Sequence, residues 1–290
     1  MSPARRIAGD FAASRAALAG AALLALLSLA ALLAPWVSPQ NPYDLAQLQL
    51  IDSRLPPLAR TSADAIRWLG TDDQGRDMLS AILYGLRTSL AVGFASTVLA
   101  FAIGVALGLA AAWFGGWVEA LVMRLAELQL SFPSILIALV LLALLGRGAD
   151  KIVAAIVAVQ WATYARAAHA AALVERRKDY VEAALALALP DSRIIFRHLL
   201  PNCLAPLIVL AAVQVAAAIT LEATLSFLGL GLPITEPSLG LLIANGFNYL
   251  LSGHYWISFF PGIALLLAIV AINLVSDRLR EILDPRERRR

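Results

Sequence analysis

The chain has 290 residues, 60% of them hydrophobic and only 15% charged, with a mean hydropathy of +0.78. Soluble domains run at roughly 45–50% apolar and 25% charged, so this balance excludes a soluble globule and points to an all-α protein that crosses a membrane several times. The net charge of +3 is small, so its placement says more than its size, and the single cysteine, Cys203, excludes an intrachain disulfide or a cysteine-based metal cluster.

Residues 1–16 form a short tail with Arg5, Arg6 and Arg15. Residues 17–36 follow as an uncharged run of about the ~20 residues a bilayer requires. A cleaved signal peptide would have a shorter apolar core and a small-x-small cleavage site. This run ends at Pro35-Trp36 instead and reads as a retained first helix. Residues 37–87 are the largest polar segment, setting Asp44, Asp52, Asp64, Asp72, Asp73 and Asp77 against five arginines. The aspartates around Gly75 lack the alternating ligands and terminal glutamate of an EF-hand, and read as a capped turn leading into a helix. Apolar runs at 89–114, 128–145, 152–173, 204–225 and 256–275 bring the expected spans to six. Pro133 marks a kink early in the third. Arg166 and His169 stand near the end of the fourth, where they must snorkel to the interface. Gly229, Gly231 and Pro233 fit a tight outer turn, and residues 277–290 form a basic tail.

Orientation follows from lysine and arginine. With the N-terminus inside, the inner segments hold 16 of these residues and the outer segments 7. An excess of positive charge marks the cytoplasmic side, which places both termini and the loop at 175–203 there. Gln160, Gln214, Thr220, Glu222 and Asn273 are polar residues within spans. They either line a path or hydrogen-bond between helices. Glu222 stands apart, because a carboxylate near a membrane boundary needs water, a partner or a role. His169, His198 and His254 are too scattered for a metal site. The chain has no G-x-x-x-x-G-K-[ST] phosphate loop, no H-E-x-x-H and no G-x-S-x-G turn. A membrane-embedded hydrolase would need paired catalytic groups within its spans, which are missing. An assembly scaffold without a path is the structural alternative.

The segment 180–202, YVEAALALALPDSRIIFRHLLPN, is a charged interruption between two apolar runs. Asp179 and Glu182 have the spacing of an N-cap and a capping-box acid. Pro190 disfavours α geometry at Leu189, and Asp191 or Ser192 can cap a second helix. That helix carries an apolar stripe of Ile195/Leu199 and Phe196/Leu200, with Arg193 and Arg197 on its polar edge. Pro201 is expected to end it. A short two-sided helix between spans suits docking to a soluble partner.

The pattern E-A-A, a break, then I-x-x-x-x-L-P resembles the EAA loop of ABC-importer permeases, through Glu182, Ala183, Ala184, Ile195, Leu200 and Pro201. The family usually places a glycine where this chain has Ala188. Glycine takes positive φ cheaply and alanine does not, so the break is expected at Leu189-Pro190 instead. LGTDDQGRDMLSAILYGLRTSL at 69–90 is similar to the dipeptide, oligopeptide and nickel importer group. So are TLEATLSFLGLG at 220–231 followed by Pro237-Ser238-Leu239-Gly240, and Asn273…Asp277…Leu283-Asp284-Pro285. The likeness covers most of 67–286, and the short tail and first helix suit the C-type permease of such a pair.

This resemblance implies a five-helix permease core at 88–276 behind one peripheral helix, in a bacterial cytoplasmic membrane. It implies a second, homologous permease, two cytoplasmic ATPases that carry ATP hydrolysis, an extracytoplasmic solute-binding protein and surrounding lipid. It implies no nucleic acid and no cofactor. The docking set it implies is Glu182, Ala183, Ala184, Ala188, Asp191, Arg193, Ile195, Phe196, Arg197, His198, Leu199 and Pro201. Gln160, Gln214 and Glu222 are the expected path or gate. The expected cargo is a di- or oligopeptide, with nickel or another small solute as the competitor.

Overall fold

A computed structural model of the chain describes residues 9–44, 48–233 and 235–283. Arg5, Arg6, Asp284, Pro285 and the end of the basic tail lie outside the described residues. Helix α1, Arg15–Val37, is capped by the Ser14 hydroxyl, which accepts from the Ala17 amide at 3.3 Å. Its 23 residues rise about 35 Å, enough for a hydrocarbon core of ~30 Å. Gly20, Ala31 and Ala34 are buried, whereas Leu26, Leu29 and Leu32 stand exposed, as lipid-facing positions would.

The polar segment is short on regular structure. Strands β1, Ala59–Arg60, and β2, Ile66–Arg67, pair antiparallel. The aspartate-rich stretch then forms a buried turn, as the sequence predicts. Asp72 accepts from the amides of Gln74 and Arg76, and pairs with the Arg76 guanidinium at 2.6 Å. Gly75 supplies the positive φ of 78° that this turn needs. Asp77 caps helix α2, accepting from the Ser80 amide at 2.8 Å and its hydroxyl at 2.6 Å.

Helix α2, Met78–Phe114, therefore starts well ahead of the apolar run at 89–114, and its 37 residues measure about 55 Å. Gly104 and Gly108 lie one turn apart on the face that meets helix α5, Ala149–Glu175. A Cβ at either glycine would run into the backbone of α5 at Trp161–Ala165 and Ala165–His169. Small residues bring two helices together this closely where no hydrophobic effect drives their association.

The third expected span is not one helix. Helix α3, Gly116–Leu130, and helix α4, Ser134–Leu145, meet at 94°. Ser131 and Phe132 fold back onto the last carbonyls of α3, bonding Glu127 and Gln129, and Pro133 opens α4 without an amide to continue the ladder. Pro133 thus breaks the run rather than kinking it. The 12 residues of α4 rise only about 18 Å and cannot span a bilayer alone.

Beyond α5 come α6, Asp179–Ala186, and α7, Asp191–Ile194. A π-helical turn, Ile195–Leu199, follows and runs without interruption into α8, Leu200–Phe227. Pro201 does not end the loop helix. The Leu200 amide reaches back to the Ile195 carbonyl, and this wider turn makes room for a proline ring that a regular helix would clash with. Helix α9, Leu239–Phe247, is capped by Ser238, and α10, Trp256–Leu283, closes the fold.

Among the described residues, four helices are long and apolar enough to cross a membrane: α1, α2, α8 with its lead-in, and α10. The bent α3–α4 pair raises this to five. Helix α5 has the length, 27 residues, but Gln160, Arg166 and His169 dilute its apolar character. Six crossings, the expected number, therefore do not follow from helix length and composition among the described residues.

Candidate coupling loop and polar cavity

The loop between α5 and α8 is fixed onto the C-terminal end of α2. The Arg176 guanidinium donates to the Ala112 carbonyl at 2.7 Å and lies over the Trp113 ring, 5.3 Å from its centroid. Lys178 pairs with Glu175 at 2.6 Å, and the Tyr180 hydroxyl donates to the other Glu175 oxygen at 2.8 Å. These contacts set the entry into α6 without the expected capping box. Lys178 occupies the cap position with no side-chain cap bond, Asp179 is already helical, and Glu182 is exposed. Pro190 likewise takes the cap position of α7, so neither Asp191 nor Ser192 caps it.

Ala188 corrects the expected position of the break. It adopts a positive φ of 53°. Its amide bonds the Leu185 carbonyl, and the Leu189 amide reaches back to Ala184. This is a Schellman motif with alanine at the position glycine usually fills. The turn keeps its geometry, and the alanine carries the strain.

The apolar stripe expected to face a partner is largely covered by this chain. Ile194 and Leu199 are fully buried and Ile195 nearly so, packed with Val105, Leu109, Trp113 and Val181. Ala184 is buried with them. The loop leaves Phe196 68% exposed, together with Leu187 at 74% and Leu185 at 49%. Glu182, Ala183, Ala188, Asp191, Arg193, Arg197 and Pro201 are also exposed, and His198 is half-buried. The loop, anchored on α2, therefore displays Phe196 among charged groups.

Gln160 and Gln214 are brought together, but Glu222 is not with them. The Gln160 amide nitrogen donates to the Gln214 carbonyl at 3.2 Å, while its oxygen is buried without a hydrogen-bond partner. Both line a cavity of about 370 Å³ between the α3–α4 break, α5 and α8, with Gln129, Ser134 and Thr163. Gln129 escaped the sequence reading, although it sits just before the break at Ser131–Pro133. Its side chain donates to the Val159 carbonyl.

Glu222 does not line this cavity. It is 0% exposed, and the Ser89 and Ser226 hydroxyls donate to its two oxygens, each at 2.8 Å. Ser89 also accepts from the Leu239 amide at the start of α9, at 3.3 Å. The carboxylate is a buried staple across α2, α8 and α9. His169 pairs with Glu119 at 2.9 Å instead of reaching for the interface alone. Among the described residues, no group of three metal-ligating side chains comes together.

The sequence model for the inner-membrane component of binding-protein-dependent transport systems matches residues 102–289, and that for the N-terminal membrane domain of oligopeptide transport permease C matches 2–57. The chain is a permease of this family.

The permease is 40% identical over 267 residues to a putative peptide transport system permease of Brucella suis, covering 92% of this chain and 86% of that one. It is 38% identical to the di/tripeptide permease DppC of Pseudomonas aeruginosa, covering 98% and 93% of the two chains. The dipeptide permease DppC of Haemophilus influenzae is 34% identical, with 95% and 92% covered. A solved structure of the MetNI methionine ABC transporter, inward facing, superposes with a TM-score of 0.55 at 21% identity, covering 71% of the permease and 97% of that chain. That likeness concerns the fold.

Proposed function

We propose that the permease forms part of the membrane path of an ATP-driven importer for di- or oligopeptides, with its α5–α8 loop docked on a cytoplasmic ATPase. The observation that carries this reading is the fixed loop with one large exposed aromatic, Phe196, at its turn. The chain has no phosphate loop of its own, so hydrolysis belongs to the partner. A homologous permease completes the path, a solute-binding protein delivers cargo from outside, and both termini lie in the cytoplasm.

The geometry supports a lever. Force applied at Phe196 passes through Ile194, Ile195 and Leu199 into the core that holds Leu109 and Trp113 of α2. Helix α2 then carries the displacement about 55 Å to the Asp72–Arg76 turn. The Glu222 staple makes α8 and α9 follow α2. Packed helices move as units in this way because their interfaces hold discrete arrangements rather than deforming continuously.

The test is reconstitution of the permease with its partners in liposomes. ATP-dependent uptake of L-alanyl-L-alanine, with ATPase activity stimulated by the solute-binding protein, is the expected result. ATPase stimulation with uptake of nickel and not of peptides would overturn the cargo. Absence of coupled uptake of any solute would overturn the importer.

A further inference from the structure

A second cavity, about 260 Å³, opens where the outer polar segment meets the α4–α5 and α8–α9 connections. Asp73, Arg147, Ser226, Asn245, Asn248 and Tyr249 are among its walls. Three features set it apart from a surface crevice. Asp73 Oδ1 and Asn245 Nδ2 are buried yet have no hydrogen-bond partner. Asp73 and Arg147 face the same space, but no ion pair joins them. Tyr249 is held in place by the Arg54 guanidinium, 5.5 Å from its ring centroid.

A buried polar atom without a partner is costly, by an amount comparable to a lost hydrogen bond or more. Here an acceptor and a donor both stand unfilled around a space large enough for a small solute. Burial and the neighbouring Asp72 push the Asp73 carboxyl above its usual range, against the opposing pull of Arg76 and Arg54. A cation delivered to Asp73 would relieve that deficit. Arg147, exposed at the rim, offers the complementary charge. Opposite charges held apart across a cavity fit a ligand that carries both.

From this we infer that the outer cavity binds a small zwitterion, a free dipeptide, with its ammonium on Asp73 and its carboxylate on Arg147 and the Asn245 amide. The inference rests on the peptide-importer reading and gives it a holding site on the outer side. The side-chain amide of Asn248 serves the single peptide bond. A solute lacking either charge leaves one side of the cavity unpaired.

The experiment uses the permease assembled with its partner permease and ATPases in nanodiscs, without the solute-binding protein. Binding of L-alanyl-L-alanine is followed by saturation-transfer NMR and titration calorimetry. Saturable binding is expected. It should weaken by roughly tenfold or more in Asp73→Asn and in Arg147→Gln. N-acetyl-alanyl-alanine and alanyl-alanine amide should show the same loss against the unaltered protein. Should Asp73→Asn fail to assemble, Arg147→Gln at its exposed position still decides the matter.

Equal binding of the blocked peptides, unchanged binding in Arg147→Gln, or no saturable binding at all would overturn the proposal. Wild-type uptake of the dipeptide is measured in parallel. Uptake without binding at this cavity sinks the site alone, whereas no uptake of any peptide sinks the functional reading beneath it.

Discussion

Ala188 holds its positive φ of 53° with a Cβ present, which costs an L-residue roughly 1–2 kcal/mol. Ala188→Gly removes that strain and should stabilise the loop by about 1 kcal/mol, seen as slower hydrogen exchange at the Leu189 amide and in α6. Faster exchange there would show that the alanine methyl packs against something. Glu222 makes the opposite case. Glu222→Ala strands the Ser89 and Ser226 hydroxyls and opens a buried cavity, so it should cost about 2–5 kcal/mol, read as a lower unfolding midpoint in detergent. Glu222→Gln keeps the shape and an acceptor and should cost much less. A Gln variant with wild-type stability but no uptake would assign the carboxylate to the transport path.

At the scale of elements, the Asp72–Arg76 pair fixes where α2 begins. Both side chains are 1% exposed. Arg76→Met leaves a buried carboxylate uncompensated, which should cost about 3–5 kcal/mol, measured by thermal unfolding of the purified permease. An unchanged midpoint would mean the turn is held by its backbone bonds alone. This turn was legible in advance, because closely spaced aspartates around a glycine have few other uses at a helix start. The apolar runs at 17–36, 204–225 and 256–275 likewise fall inside α1, α8 and α10.

What stayed hidden had physical reasons. Hydropathy sees that residues 128–145 are apolar but cannot see the 94° bend, which depends on Ser131 and Phe132 closing the end of α3. An amphipathic stripe looks the same whether its own chain or a partner covers it, so Ile195 and Leu199 could not be told from Phe196. The anchoring of Arg176 to Ala112 and the Glu222–Ser89 bond join residues far apart in sequence, and no local pattern announces either.

At the scale of the whole molecule, the lever needs its two ends on opposite sides of the membrane. In a Cys203→Ser background, single cysteines at Ser62 and Ser252, both exposed, should react with an impermeant thiol reagent applied from outside. A cysteine at Ser192 should not. Outside labelling at Ser192 would invert the orientation and remove the docking role.

The docking role itself comes down to one side chain. Burying an aromatic such as Phe196 in a partner groove contributes roughly 1.5–3 kcal/mol, a ten- to hundredfold change in affinity. Leu199 faces inward, so Leu199→Ala should destabilise the permease by about 2–5 kcal/mol, whereas Phe196→Ala should leave its stability alone. The decisive measurement is co-purification of the ATPase with Phe196→Ala, scored beside the unfolding midpoint of the permease. A normal midpoint, normal pairing with the second permease, and ATPase retention lowered at least tenfold are expected. Full retention of the ATPase, with coupled transport intact, would rule out docking through Phe196.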